Sequence, residues 1–148
     1  MDTLSVELHA QIFEYACVDD GSTARALSLV SHYFHEVVKP YLYQSLVVCG
    51  PAQLAALEAR LAPLPPHLRR IRHLFLSDIP LSARPKPTPP DPALAASYDA
   101  ARELLQRVLL RAAPTLETLA VHAGVPYTST QLLAGVLATP LPRVRALA

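Results

Sequence analysis

Several residue types on which enzymes and secreted domains depend are scarce here. Only four glycines occur in 148 residues, too few for the glycine-rich loops that bring backbone amides against a phosphate, and neither a GxSxG elbow nor an HExxH helix is present. Serine, histidine and aspartate follow no order that suggests a triad. Catalysis and a bound cofactor are therefore not expected. The two cysteines, Cys17 and Cys49, lack the spacing of a metal or redox site and allow no disulfide framework. A reducing compartment, cytoplasmic or nuclear, suits such a chain.

Charge of either sign is also in short supply. The net charge is +1 and charged residues make up 17% of the chain, so there is no long-range field to draw in nucleic acid or an acidic membrane. Partners must be selected by shape and apolar contact. The opening "MDTLSVELH" has acids where a secretory signal has basic residues, and no apolar core follows it, so export is not expected. Residues 118 to 142 carry no Asp, Glu, Lys or Arg. The stretch "VPYTSTQ" and three prolines (Pro126, Pro140, Pro142) nevertheless argue against a membrane span.

What the chain has in quantity is apolar surface, 51% of its residues. That places it outside the disordered class and supplies enough for one domain of about 100–200 residues. On a helical wheel at about 100° per residue, residues 4 to 17 present one narrow polar stripe, Glu7, Gln11 and Glu14. Leu4, Leu8, Ile12 and Tyr15 form one apolar row, and Val6, Phe13 and Cys17 a second. The non-polar arc spans roughly 240°, against a little over 100° for an ordinary surface helix. Such a helix needs neighbours on two sides.

"VDDGS" should break that helix, with Gly21 free to take a positive φ and Ser22 placed to cap a second helix, "TARALSLVS". Ser31 can cap a third, "HYFHEVVKPYLY", which Pro40 should end near Val38. Three helices totalling about 40 residues bury too little to stand alone. Tyr33, Val37 and Leu46 are expected to pack internally.

Over these residues the sequence resembles the F-box family, in particular fungal F-box proteins with a repeat region behind the box. The likeness runs through "LSVELHAQIF", "LSLVSHYFHEVV" and "KPYLYQSLVV". Ser5 stands where the family usually has proline, His32 where a basic residue is common, and Phe34 where tryptophan is frequent. The resemblance implies an F-box over residues 1–45 that docks onto the Skp-type adaptor of a cullin-RING ubiquitin ligase, and through it a cullin. The adaptor-binding residues would be Leu4, Ser5, Leu8, Ile12, Phe13, Leu27 and Val30. The family likeness selects that region, and helical spacing selects the residues.

Behind the box, leucine supplies 26 of the 148 residues, and they are not scattered. The pattern of an aliphatic or aromatic residue, two residues, leucine, one residue, aliphatic occurs as Tyr43-Leu46-Val48, Ile71-Leu74-Leu76 and Leu116-Leu119-Val121, and begins again at Val144-Leu147. The middle leucines lie 28, 45 and 28 residues apart. The long interval contains "IPLSARPKPTPPDP", residues 79–92, with six prolines; without this insert the period is that of leucine-rich repeats. A second register, Leu64, Leu109 and Leu137, stands ten residues before each following strand leucine.

Helical stretches lie between the strands: "PAQLAALEARL" with Pro51 in its first turn, "PALAASYDAARELLQRVLLRAA", and "TSTQLLAGVLA". The expected fold is mostly α with short strands: a three-helix box, then leucine-rich-repeat-like strand-helix units over residues 46–148, an α/β solenoid fragment. Because the chain ends at "RVRALA" without a polar capping unit, a truncated member that self-associates through residues 144 to 148 is expected. The repeats would face an unknown protein substrate. A non-enzymatic helical scaffold, or a protein that pairs with its own copy, is the rival from another class.

The remaining motifs are weak. His32 and His35 have metal-ligand spacing but no third ligand in view, and "DDG" lacks the alternating oxygens of a calcium loop. "HLRRIRH", residues 67 to 73, reads as the solvated side of a strand rather than a phosphate site. "RPKPTPP" fits an SH3-type ligand, though a stiff solvated insert is the simpler role.

Overall fold

The computed structural model describes residues 4–79, 92–122, 124 and 134–147. The first helix, α1 (Val6–Ala16), carries Glu7 in its first turn, where a carboxylate favours the positive end of the helix dipole. The chain reverses at Gly21, whose φ of 90° belongs to the left-handed region, and enters α2 (Ser22–Ser28). Ser22 was expected to cap α2, but it is the first helical residue, and the capping is done from further back. The Asp19 carboxylate accepts from the amides of Gly21 and Thr23 and from the hydroxyls of Ser22 and Thr23.

In α3 (His32–Val38) the Ser31 hydroxyl accepts from the Phe34 amide at 3.1 Å, the capping bond expected of it. The helix stops at Val38, and Pro40 sits in the 3-10 turn Lys39–Tyr41 that follows. Phe13, Cys17, Ala24 and Val38 form the small core where these helices meet, with Leu27, Phe34 and Val37 packed against it. Tyr33, expected inside, stays half-exposed on the surface.

The rest of the chain alternates strand and helix: β1 (Ser45–Cys49), α4 (Gly50–Leu61), β2 (His73–Ser77), α5 (Pro92–Ala112), β3 (Thr118–His122) and β4 (Ala146–Leu147). Residues 134–137 add a helical turn between the last two strands. The four strands form one sheet in the order β1-β2-β3-β4, and each neighbouring pair is parallel. Parallel neighbours need a crossover, and α4 and α5 supply the first two. The molecule is thus a mixed α/β protein. Residues 80–91 of the proline-rich insert, all of "VPYTSTQ" (125–131) and with it the first part of the expected helix "TSTQLLAGVLA" lie outside the described residues.

The leucine spacing found in the sequence is the register of this sheet. Leu46 pairs with Leu74, Leu74 with Leu119 and Leu119 with Leu147, while Val48, Leu76 and Val121 form the adjacent row. Side chains alternate across a strand, and on β2 Leu74 and Leu76 are buried while Phe75 between them is exposed. The covered face meets Leu54, Leu57 and Leu61 of α4 and Leu105, Val108 and Leu109 of α5. The second leucine register holds only in part. Leu64 packs against the core and Leu109 is fully buried, but Leu137 is exposed, and its neighbour Val136 takes the inward place.

A backbone ladder just ahead of the strands repeats the same interval. The Gln44 carbonyl accepts from the amides of Arg72 and His73, the Arg72 carbonyl from Glu117 and Thr118, and the Glu117 carbonyl from Arg145. Gln44, Arg72, Glu117 and Arg145 therefore occupy one column, each two residues ahead of its middle leucine. The side chains of that column tie the two halves of the molecule together. Gln44 Nε2 donates to the carbonyls of Glu14 and Cys17 at the end of α1. Arg72 reaches Glu14 at 2.7 Å with one nitrogen and grips both carboxylate oxygens of Glu117 with two others.

Candidate functional site

The wheel drawn from the sequence shows a wide apolar arc on α1 but not which part of it turns inward. Phe13 and Cys17, four residues apart on one face, point into the helix cluster and are almost fully buried. His9, one turn earlier on that face, lies edge-on to the rings of Tyr33 and Phe34. The other row stays outside: Leu4, Leu8 and Ile12 keep about half their surface, at 51%, 46% and 50%, and Val6 and Tyr15 are exposed beside them.

The turn between α2 and α3 adds Leu29 and Val30, of which Leu29 is 86% exposed. Nine of the thirteen large apolar residues that stand exposed among the described residues fall between Leu4 and Tyr33. Scattered surface leucines are ordinary, but their concentration in one small helical unit makes it the candidate contact surface. Next to it, Ser28, Leu29, Ser31, His32 and His35 line a shallow groove of about 360 Å³.

The expected adaptor-binding residues divide accordingly. Leu4, Ser5, Leu8, Ile12 and Val30 are on the surface. Phe13 is not: at 3% exposure it belongs to the core, so it supports the face from beneath instead of touching a partner. Leu27 is half-buried against the same core and contributes mainly to packing. Leu29, which the sequence reading passed over, is more exposed than any of them. Its place in a tight turn between two short helices, where neither helix can cover it, was the available signal.

The chemistry of this surface is apolar contact. His35 Nδ1 lies 3.2 Å from the Ser28 carbonyl, and among the described residues no group of three or more His, Cys, Asp or Glu is placed to hold a metal ion. Burial, helped by the charge of Asp19, pushes the Cys17 thiol up to about 11, so it stays protonated near neutral pH. Asp19 itself is subject to opposing influences. Desolvation raises its pKa, but the hydrogen bonds from Thr23, Ser22 and Gly21 outweigh it and hold the carboxyl at about 2.

The sheet offers a second surface, next to the turn that holds Val18 and Asp19. On the uncovered sheet face, Val47 and Phe75 are exposed in paired positions, flanked by the row Ser45, His73 and Thr118. His73 Nδ1 lies 2.8 Å from the Thr118 hydroxyl, and burial, with the nearby Arg72 charge, lowers the histidine pKa. Of the "HLRRIRH" arginines, Arg72 is occupied by Glu14 and Glu117 and so is turned to structure. Among the described residues, no helix is long and apolar enough to cross a membrane. No family model matches the chain, and neither a curated protein nor a solved structure matches it at a significant level.

Proposed function

We propose that this chain is an F-box-type adaptor, with α1 to α3 docking on a Skp-type protein of a cullin-RING ubiquitin ligase and the parallel strand-helix units behind them presenting a protein substrate. Its role is to bind and orient, while ubiquitin transfer takes place on other subunits. One observation carries the reading: the helix cluster has an inner apolar row already buried on Phe13 and Cys17 and an outer row, Leu4, Leu8 and Ile12, that keeps about half its surface in contact with solvent.

The strand-helix units support the second half of the proposal. Their common register and recurring interval fit a short solenoid of the leucine-rich-repeat kind, whose uncovered sheet face, with Val47 and Phe75, suits protein contact. The ties from Gln44 and Arg72 to α1 would hold the two surfaces in a fixed relation.

The test is co-purification with a Skp-type adaptor. Ile12→Asp, a charge placed in the centre of the outer row, should weaken capture by at least ~2 kcal/mol, the scale of an interface hot spot. The circular dichroism spectrum should stay unchanged, because Ile12 is half-exposed. Equal capture by the variant overturns the docking face. Absence of capture by the native chain, together with concentration-dependent dimerisation that Ile12→Asp abolishes, would establish the self-pairing scaffold in its place.

A further inference from the structure

Beside β1 the molecule keeps a groove that shares Val47 with the uncovered sheet face but opens along the edge of the strand. β1 is the first strand in the sheet, so among the described residues one of its edges has no strand beside it. Which backbone groups face that edge follows from parity. The Gln44 carbonyl points to β2, where it accepts from Arg72 and His73, and successive strand residues direct their N–H and C=O to alternate sides. Leu46 and Val48 therefore face β2, and Ser45, Val47 and Cys49 face outward.

Two of these three are covered. The Cys49 amide donates to Gln53 Oε1 at 2.8 Å. Gly21 lies so close to the Ser45 carbonyl that a Cβ on it would come to 3.2 Å. Val47 is left between them, and its amide and carbonyl have no hydrogen-bond partner among the described residues. It opens onto a groove of about 430 Å³, a size suited to a ligand cleft.

The groove has a mixed lining, in which Leu46 and Leu57 stand with the polar Gln53, and Arg25 from α2 and Arg60 from α4 supply its charge. No carboxylate lines it, and neither arginine makes an ion pair among the described residues. An outward N–H and C=O on one residue match the donor and acceptor of a peptide backbone. A phosphate only accepts, and would leave the Val47 carbonyl facing an anion. We propose that this groove takes an extended acidic peptide segment, which adds beside β1 through Val47 and places carboxylates on Arg25 and Arg60.

Fluorescence anisotropy with the full chain and a labelled, end-capped heptapeptide of alternating glutamate and valine tests this. Saturable binding is expected, weakened at least about tenfold by the double change Arg25→Ala and Arg60→Ala, since each removes a charge-assisted contact. Both arginines are exposed, so the fold should survive. Methylating alternate peptide nitrogens should abolish binding, and the Val47 amide should exchange more slowly with solvent when the unmodified peptide is present. Absence of saturable binding to the native chain overturns the proposal. So does retained binding of the methylated peptide, or displacement by inorganic phosphate at equal charge, because either means capture of anions without a strand.

Discussion

The two halves of this molecule use apolar residues in opposite ways. In the strand-helix half, Leu61, Ile71, Leu109, Leu116 and Leu119 are almost wholly shielded from water, each covered by a neighbouring unit. In the helix cluster, a first helix of similar greasiness buries Phe13 and leaves Leu8 and Ile12, with Leu4 just ahead of it, in contact with solvent. A repeating unit can cover its neighbour because the same face recurs at a fixed interval. Three short helices have no such recurrence, and their surplus apolar surface remains available to another molecule.

The sharpest way to break that comparison lies within α1, at two adjacent residues. Phe13→Ala should cost about 3–5 kcal/mol, because it removes a buried ring and leaves a cavity. Ile12→Ala should cost well under about 1 kcal/mol, as half its surface is already wet. Urea unfolding of both variants would show whether inner and outer rows differ as the burial indicates; equal losses would mean that the outer row is covered in solution.

A smaller effect is expected where the halves meet. Arg72 is held by Glu14 from the helix cluster and by Glu117 ahead of β3. The Glu117 bond chiefly raises the guanidinium pKa and in return lowers that of the Glu117 carboxyl. All three side chains are partly exposed, so screening limits the contribution, and Arg72→Ala should cost about 1 kcal/mol. A double-mutant cycle of Arg72→Ala with Glu14→Ala should give a coupling of a few tenths to about 1 kcal/mol. Zero coupling would mean that the Arg72–Glu14 pair contributes nothing to joining the halves, leaving that to the Gln44 side chain and the packing of the α1–α2 turn on β1.

Asp19 gives the most local effect. Its folded-state pKa, about 2, lies below its ordinary 3.8, so the stabilisation is complete above the unfolded value and is lost as pH falls through about 2. After allowance for solvent the contribution is on the order of 1 kcal/mol. Asp19→Asn should therefore lower stability at neutral pH and flatten its pH dependence between about 4 and 2. Denaturant midpoints measured across that range would check this, and an unchanged slope would assign the capping of α2 to other groups.

Much of the strand-helix half was legible in advance. Each strand carries its own signal, a leucine flanked at fixed offsets by aliphatic residues, and the recurrence of that signal over 28 residues states which leucines align. Caps and breaks could be read for the same local reason, as at Ser31 and Pro40. Leu137 shows the limit. It keeps the interval of Leu109 but points outward, because Val136 fills the inward place beside it.

By itself, then, the sequence determined what depends on residues within a turn or on a repeated offset: the helices and their stops, the strands, and the row Leu46, Leu74, Leu119 and Leu147. Only the tertiary structure decided which row of α1 turns inward, since a 240° arc, roughly, looks the same from either side on a wheel. It also decided that Asp19 rather than Ser22 caps α2, and that Arg72 joins Glu14 across 58 residues of chain. These choices rest on groups brought together by the fold, and their partners leave no trace in local spacing.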